Sequence, residues 1–183
     1  MVVVARVSRT RRRLACVVVL VMSSSGSSFA ATFEATVSRV VDGDTVWVRA
    51  VADAASDVAG GAAGHRPKPI KLRLQGIDAP ERCQAWGVQA TAALEARVLH
   101  QRVQVQTRAK DDHQRALGNL LLNGEDVSAW MVTQGHAWSY HFRRSSGPYA
   151  EPEQQARAAG RGLFADPAAT EPRWFRRDHG PCL

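Results

Sequence analysis

Residues 70–81, with the sequence IKLRLQGIDAPE, decide how this chain folds. Apolar and polar residues alternate in the first half of the stretch, which is the pattern of a half-buried β-strand. This alternation places Arg73 on the polar face, opposite the aliphatic side chains. Pro80 cannot donate to a β-ladder, so the strand must end before it. The stretch therefore predicts a strand that leads into two carboxylates, those of Asp78 and Glu81.

A second pair of carboxylates precedes this strand, in the sequence VDGDT around Asp44. The runs on either side, 33–41 and 45–51, alternate like strands, and the Asp-Gly pair between them is a strong hairpin signal. Carboxylates at strand ends can converge on a hard divalent cation. Arginines nearby, such as Arg73 and Arg115, can hold a phosphate that the same cation touches. This combination of groups points to the cleavage of a phosphodiester.

The remaining chain contains further periodic segments and one segment without a period. Residues 52–67 are rich in Ala, Gly and Asp and are predicted to be a flexible inserted loop. The later segments are predicted to be, in order, a helix, two strands and two helices, at 87–100, 102–108, 115–122, 125–134 and 152–161. Five short strands with a helix between the third and fourth predict a mixed α+β protein: an OB-fold, five-stranded β-barrel with three α-helices.

The first 30 residues have the character of a cleaved signal peptide. Five arginines precede an apolar run, 14–22, that is too short to span a bilayer, and Ser28-Phe29-Ala30 fits a cleavage site before Ala31. Cleavage predicts a secreted or periplasmic protein, exported by the general or the twin-arginine route, with no stable membrane association. The alternative is an uncleaved membrane anchor.

The net charge of the chain is concentrated in this leader. The whole sequence has 24 Lys and Arg residues, 17 Asp and Glu residues and a formal net charge of +7. Without the leader, 19 basic residues remain against 17 acidic ones, which leaves a net charge of +2. Overall charge therefore gives no argument for nucleic-acid binding, and any such argument must rest on local clusters.

The cysteines predict a crosslink. Cys16 would leave with the leader, and an exported chain that keeps only Cys83 and Cys182 favours a disulfide between them. Such a loop of roughly 100 residues would contribute at most about 4–5 kcal/mol to stability, and it would tie the C-terminal tail, 168–183, to the segment after Glu81. Two independent buried thiols are the alternative.

Three segments resemble the signature blocks of the staphylococcal nuclease-like, or thermonuclease, family. They are DGDT at 42–45, RLQGIDAPE at 73–81 and DDHQRALG at 111–118, and they occur in the family's order. The resemblance spans about Phe33 to Asp166, which favours a staphylococcal nuclease-like domain over 31–167. It implies an OB barrel with three helices. It also implies a calcium-dependent nuclease that acts on DNA and RNA with little base specificity and leaves 3′-phosphates.

The resemblance also implies the roles of individual residues. Ca²⁺ takes six to eight oxygen ligands, so two carboxylates and a carbonyl would leave places for water and phosphate. Glu81 is positioned in the motif either as a general base or as an organiser of the water network. By position, the catalytic residues are Arg73, Glu81 and Arg115, and the calcium ligands are Asp44, Asp78 and, through its backbone carbonyl, Ala79.

A mixture of aromatic and basic residues suggests how the substrate is held. Such a mixture suits single-stranded nucleic acid, because bases stack on aromatic rings, but it is equally compatible with ordinary surface. The candidate residues are Tyr140, His141, Arg143, Arg144 and Tyr149. We expect a monomer. Two alternatives remain: a non-catalytic OB-fold nucleic-acid-binding module, and a phosphodiesterase that uses magnesium or manganese.

Overall fold

The computed structural model describes most of the chain after the predicted leader. The described residues are 31–51, 68–111, 115–142, 145–180 and 182. The predicted signal peptide, 1–30, and the predicted insertion, 52–67, lie outside the described residues and stay predictions.

The described residues contain eight strands. They are β1 (Ala31–Asp42), β2 (Thr45–Ala50), β3 (Ile70–Leu74), β4 (Ile77–Asp78), β5 (Arg102–Lys110), β6 (Ala116–Leu122), β7 (Glu125–Asp126) and β8 (Trp138–Ser139). The sheet order is β3-β2-β1-β5-β6-β7, and an additional pairing of β3 with β6 closes five of these strands into a barrel. The predicted OB-fold barrel is therefore confirmed.

The pairing that closes the barrel is parallel, whereas its neighbours are antiparallel. It sets Leu72 opposite Ala116 and Arg73 opposite Leu117. The outward-facing side chains of β3 and β6, which are far apart in the sequence, therefore lie side by side on the outside of the barrel.

The inward-facing residues of the barrel strands form the core. On β2 and β3, Val46, Val48 and Leu72 have no exposed surface, in keeping with the alternation seen in the sequence. Helix α1 covers one end of the barrel with residues such as Leu94 and Val98, which are also fully buried. At roughly 25 cal/mol per Å² of apolar area, this burial is the main stabilising contribution to the fold.

The structure has four α-helices in the described residues, where the sequence predicted three. They are α1 (Gly87–Val98), α2 (Val127–Thr133), α3 (Ala150–Ala158) and α4 (Pro172–His179). Helix α4 is the additional helix, and it lies in the predicted C-terminal tail, 168–183. Pro172 stands at the start of the helix and Gly180, at φ +73°, ends it, which are the usual boundary residues of a helix.

Helix α2 also begins later than predicted. Residues 125–126 form the short strand β7. The helix starts after them because Asp126 is its N-cap and accepts a hydrogen bond from the backbone N–H of Ser128 at 2.9 Å. In the part of the chain that the structure describes, no helix has the length and apolar character needed to cross a bilayer.

Two bonds fasten α4 to the segment after the third barrel strand. Cys83 and Cys182 form a disulfide with their Cα atoms 5.7 Å apart. Gln84, which is buried, donates from Nε2 to the backbone carbonyl of Thr170 at 2.5 Å, just before the helix. The C-terminal helix is therefore held beside Glu81.

Candidate active site

The register of β2 and β3 brings the first pair of predicted site residues together. Thr45 pairs with Arg73, and the N–H of Leu74 donates to the carbonyl of Asp44 at 2.8 Å. Arg73 lies on the polar face of β3, and its Nη1 donates to Asp44 Oδ1 at 2.6 Å. The alternation of one strand and the hairpin turn of the other thus produce this ion pair.

Asp78 reaches the same place through β4, which pairs with β8. Arg73 Nη2 donates to Asp78 Oδ1 at 3.1 Å, so one guanidinium bridges both acids. Asp44 and Asp78 are only 3% and 4% exposed. The close approach depends on Gly43, because a Cβ added there would lie 2.7 Å from the Cβ of Ala79.

Burial dominates the electrostatics of Asp44. It raises the pKa of this carboxyl to about 6; the charge of Arg73 opposes the rise, and the charge of Asp42 adds to it. The backbone N–H of Ala79 also donates to Asp44 Oδ2 at 3.2 Å and favours the ionised form. A buried carboxylate that is only partly neutralised in this way is a favourable ligand for an additional positive charge.

Glu81 stands at the rim of the same pocket and is less buried, with 28% of its side chain exposed. Its backbone N–H donates to Gln84 Oε1 at 3.1 Å, which fixes the turn before α1. Gly87 allows this turn, since a Cβ there would lie 1.9 Å from the carbonyl oxygen of Glu81.

Arg115 immediately precedes β6, two residues before Leu117, which is opposite Arg73 in the parallel pairing. Asp111 orients it: the N–H of Arg115 donates to Asp111 Oδ1 at 2.9 Å, and its Nε donates to Oδ2 at 2.7 Å. The side chain of Arg115 is 23% exposed. Its position leaves the guanidinium at the edge of the pocket.

Sequence reasoning missed Arg176 on α4, which contacts two carboxylates of the site. Its Nη1 donates to Glu81 Oε1 at 2.7 Å, and its two terminal nitrogens donate to both carboxylate oxygens of Asp78 at 3.3 and 3.0 Å. Burial alone would lower the pKa of Arg176, but its bonds to Asp78 and Glu81 outweigh burial and raise the pKa. The predicted Cys83–Cys182 crosslink was the signal that could have located this arginine, because it brings the tail back to Glu81.

A single open cavity of about 1310 Å³ joins these groups. Six charged residues line it: Lys71, Arg73, Glu81, Asp111, Arg115 and Arg176. Asp44 and Asp78 lie behind Arg73, buried in the wall of the cavity. Three arginines and a glutamate therefore face a space that is large enough for a nucleotide chain.

The predicted nucleic-acid-binding residues divide into four groups. Tyr140 is 46% exposed and lines the cavity, and Phe142, which the sequence analysis missed, is 64% exposed and lines it too. His141 is half-buried next to Tyr140. The third group, Arg143 and Arg144, lies outside the described residues.

The remaining candidate, Tyr149, is partly buried. It packs against the barrel core, and its hydroxyl donates to Asp126 Oδ2 at 2.7 Å. Burial, together with this bond to Asp126, raises the pKa of Tyr149. Tyr149 therefore supports the fold at this position.

Asp44 and Asp78 are the predicted carboxylate ligands for a hard cation. Among the residues that the structure describes, no three His, Cys, Asp or Glu side chains are grouped to hold a metal ion. Asp44 and Asp78 nevertheless present buried carboxylate oxygens beside an open cavity, and oxygen donors completed by water suit Ca²⁺. Ala79, predicted as a carbonyl ligand, contacts Asp44 through its N–H. The two carboxylates fit a hard divalent cation.

Known proteins resemble this chain over its barrel and beyond. Residues 71–166 match the family model described as "Staphylococcal nuclease homologue". The "Micrococcal nuclease" of Shigella flexneri is 32% identical over 177 residues, which cover 91% of each chain. "Protein ParB" of Escherichia coli is 35% identical over 181 residues, covering 91% of this chain and 90% of that protein. An "Uncharacterized endonuclease" of Haemophilus influenzae is 36% identical over 110 residues, covering 60% and 62%.

Proposed function

The chain belongs to the staphylococcal nuclease family, and on this premise we propose that it is a calcium-dependent nuclease that hydrolyses DNA and RNA with little base specificity. The observation that carries the proposal is the meeting of Arg73, Arg115 and Glu81 in one cavity, with Asp44 and Asp78 buried behind them. The names of two relatives, a micrococcal nuclease and an endonuclease, support nuclease activity.

The arginines bind the scissile phosphate in this proposal. Arg73 and Arg115 project from neighbouring strands, and both are already oriented by carboxylates, Arg73 by Asp44 and Arg115 by Asp111. A guanidinium stays charged at any working pH and offers a planar pair of donors to phosphate oxygens. Such preorganised donors typically contribute about 3–4 kcal/mol each to stabilising the charge that develops in the transition state.

Glu81 is the group that handles the proton of the attacking water. Its carboxylate lines the cavity and is partly exposed, so water can reach it. Attack of water on phosphorus breaks the bond to the 5′-oxygen and leaves the phosphate on the 3′ side. Glu81 accepts a proton from the water, directly or through a second water, and the departing 5′-oxygen takes up a proton from solvent to become a hydroxyl.

Asp44 and Asp78 would hold the calcium ion, with the carbonyl of Ala79 as a third oxygen ligand. When bound, calcium polarises a phosphoryl oxygen and orients water. The residues themselves contribute the buried negative charge that makes the position favourable for a cation.

The proposal also covers the form of the substrate and the location of the protein. Tyr140 and Phe142 offer exposed rings at the cavity, on which the unpaired bases of a single strand would stack. The predicted signal peptide supports export, so we place the protein in the periplasm or outside the cell, as a monomer.

The test is hydrolysis of denatured DNA by the purified protein in millimolar calcium, with and without a chelator. We expect cleavage that the chelator abolishes and that Arg115→Ala and Glu81→Gln reduce by about 10²-fold or more. Arg102→Gln is the matched control, because Arg102 pairs with Glu34 away from the cavity. Oligonucleotide binding without turnover, unchanged by Glu81→Gln, would instead support the non-catalytic binding module. Activity with magnesium or manganese but not with calcium would show that the enzyme uses a different metal.

A further inference from the structure

We propose that Arg176 is a positioning residue of the active site, which fixes the carboxylates of Glu81 and Asp78 and is held in place by the Cys83–Cys182 disulfide. Its kinetic readout rests on the proposed nuclease function, whereas its binding readout does not. Helix α4, which carries Arg176, lies outside the residues 71–166 that match the family model.

The contacts of Arg176 connect two groups that have different predicted roles. One nitrogen, Nη1, is shared between Glu81 Oε1 at 2.7 Å and Asp78 Oδ1 at 3.3 Å, while Nη2 donates to Asp78 Oδ2 at 3.0 Å. A planar guanidinium can hold two carboxylates in a fixed relative orientation in this way, and a lysine ammonium cannot reproduce the fork.

The attachment of α4 makes this contact a built feature of the site. Cys83 lies two residues after Glu81, so the disulfide joins the helix directly to the segment that carries the predicted base. Gln84 adds a second connection, since its Oε1 accepts from the N–H of Glu81 while its Nε2 donates to the carbonyl of Thr170. The position of α4 and that of Glu81 are therefore coupled.

The neighbouring arginines on the same helix make different contacts. Arg173 pairs with Glu171, and Arg177 pairs with Asp178 and is 64% exposed. Both also lie over the ring of Trp174. Arg177 is thus a matched control that has the same residue type and lies on the same helix but does not contact the site carboxylates in the structure.

Arg176 should influence turnover and cation binding in opposite directions. Without it, Glu81 loses its 2.7 Å partner and samples other rotamers, and misplacement of a reacting group by about 1 Å can lower the rate about 10²-fold. Asp78 at the same time loses a positively charged neighbour, so its attraction for a divalent cation increases. A residue with a merely structural role would weaken both properties together.

The experiment compares Arg176→Gln with Arg177→Gln in the full-length protein. We expect Arg176→Gln to bind Ca²⁺ about fivefold more tightly in isothermal titration with calcium alone. We expect its kcat on denatured DNA to fall about 10- to 100-fold, with a smaller change in KM. Arg177→Gln should match the wild type in both measurements.

A second variant separates charge from geometry and guards against misfolding. Arg176→Lys keeps the positive charge, so calcium affinity should return towards the wild-type value, but kcat should remain low because the fork is lost. Thermal unfolding of all three variants reports whether each is folded. If Arg176→Gln does not fold, the test depends on Arg176→Lys alone. A kcat of Arg176→Lys equal to that of the wild type would then overturn the proposal.

The disulfide provides an independent test of the same idea. Reduction of the wild-type protein should lower kcat towards that of Arg176→Gln, and reduction of Arg176→Gln should lower kcat no further, because the two changes act through one contact. Full activity of the reduced wild type would overturn the role of the disulfide.

Three results would overturn the role of Arg176: equal calcium affinity and kcat in Arg176→Gln and Arg177→Gln, joint weakening of both properties, or no calcium binding at all. A wild-type protein that does not cleave DNA would overturn the proposed function, and the calcium titrations would still decide the inference.

Discussion

Arg73 donates a 2.6 Å hydrogen bond to Asp44 across the β2–β3 pair, and its other terminal nitrogen donates to Asp78 at 3.1 Å. One guanidinium thus bridges two buried carboxylates and also faces the cavity. Burial lowers the pKa of Arg73, but Asp44 and Asp78 outweigh burial and raise it, so the side chain remains a cation. The relationship links the stability of the site to its capacity to bind phosphate.

Removal of this guanidinium should alter both the activity and the titration of its partner. We expect Arg73→Gln to lower kcat/KM about 10²- to 10³-fold. The pKa of Asp44, which burial raises to about 6 and Arg73 holds down, should rise further. Carboxyl NMR titration of the metal-free protein checks the second effect. An unchanged Asp44 pKa would mean that Arg73 does not determine the charge of this acid, and Arg102→Gln should change neither quantity.

Asp44 should destabilise the metal-free protein at neutral pH. Its pKa is about 6 in the folded state and 3.8 in the unfolded state, so the folded state binds the proton more tightly between these values and stability falls as pH rises from about 4 to 6. Asp44→Asn should therefore raise the free energy of unfolding by about 1–3 kcal/mol at pH 8 in chelator, and by much less at pH 4. Urea unfolding at the two pH values is the measurement. A variant less stable than the wild type at pH 8 would contradict the expectation.

His136 should make the fold sensitive to acid in the opposite sense. Burial lowers its pKa below 6.5, and its Nδ1 accepts a hydrogen bond from Trp86 Nε1 at 3.2 Å, which requires an unprotonated Nδ1. The unfolded state therefore binds the proton more tightly, and stability falls as pH drops below 6.5. His136→Gln should flatten the dependence of unfolding free energy on pH between 5 and 7, as measured with urea at about four pH values. A slope equal to that of the wild type in His136→Gln would show that His136 is not the source of the acid sensitivity.

Gly43 should resist even the smallest substitution. A Cβ at this position would lie 2.7 Å from the Cβ of Ala79 and 3.0 Å from that of Ala90. We expect Gly43→Ala to destabilise the protein by about 1–3 kcal/mol, because overpacking forces the turn away from its neighbours. The double variant Gly43→Ala with Ala79→Gly should recover part of the loss in a thermal unfolding series. Additive losses in the double variant would show that the contact with Ala79 is not the cause.

Most of the barrel could be predicted from local patterns. The alternation of 70–75 and the Asp-Gly turn at 42–43 place Arg73 and Asp44 on adjacent strands, and the structure brings them into contact. The two-residue pair of β4 and β8 could not be predicted, because two residues carry no period. The packing of Tyr149 likewise depends on a tertiary contact: a Cβ on Gly76 would lie 2.8 Å from its ring.

Helix α4 shows where local reasoning was incomplete. The sequence contains typical boundary residues for this helix, Pro172 in the first turn and Gly180 after the last. The helix between them is only eight residues long. The role of Arg176 depends on which side of the helix meets Glu81, and no pattern within the tail specifies that side. The two cysteines indicate only that the tail lies near Glu81.

The parallel pairing of β3 with β6 has a consequence for the order of folding. The segments that carry Arg73 and Arg115 come together only when this pairing forms, and it joins parts of the barrel that are distant along the chain. Contacts of such long sequence separation are slow to form, because the loop between them must lose its conformational entropy first. An incompletely folded chain therefore has no phosphate-binding pocket, and the ability to cut nucleic acid should emerge in the same kinetic phase in which the amides of these two strands become protected from hydrogen exchange.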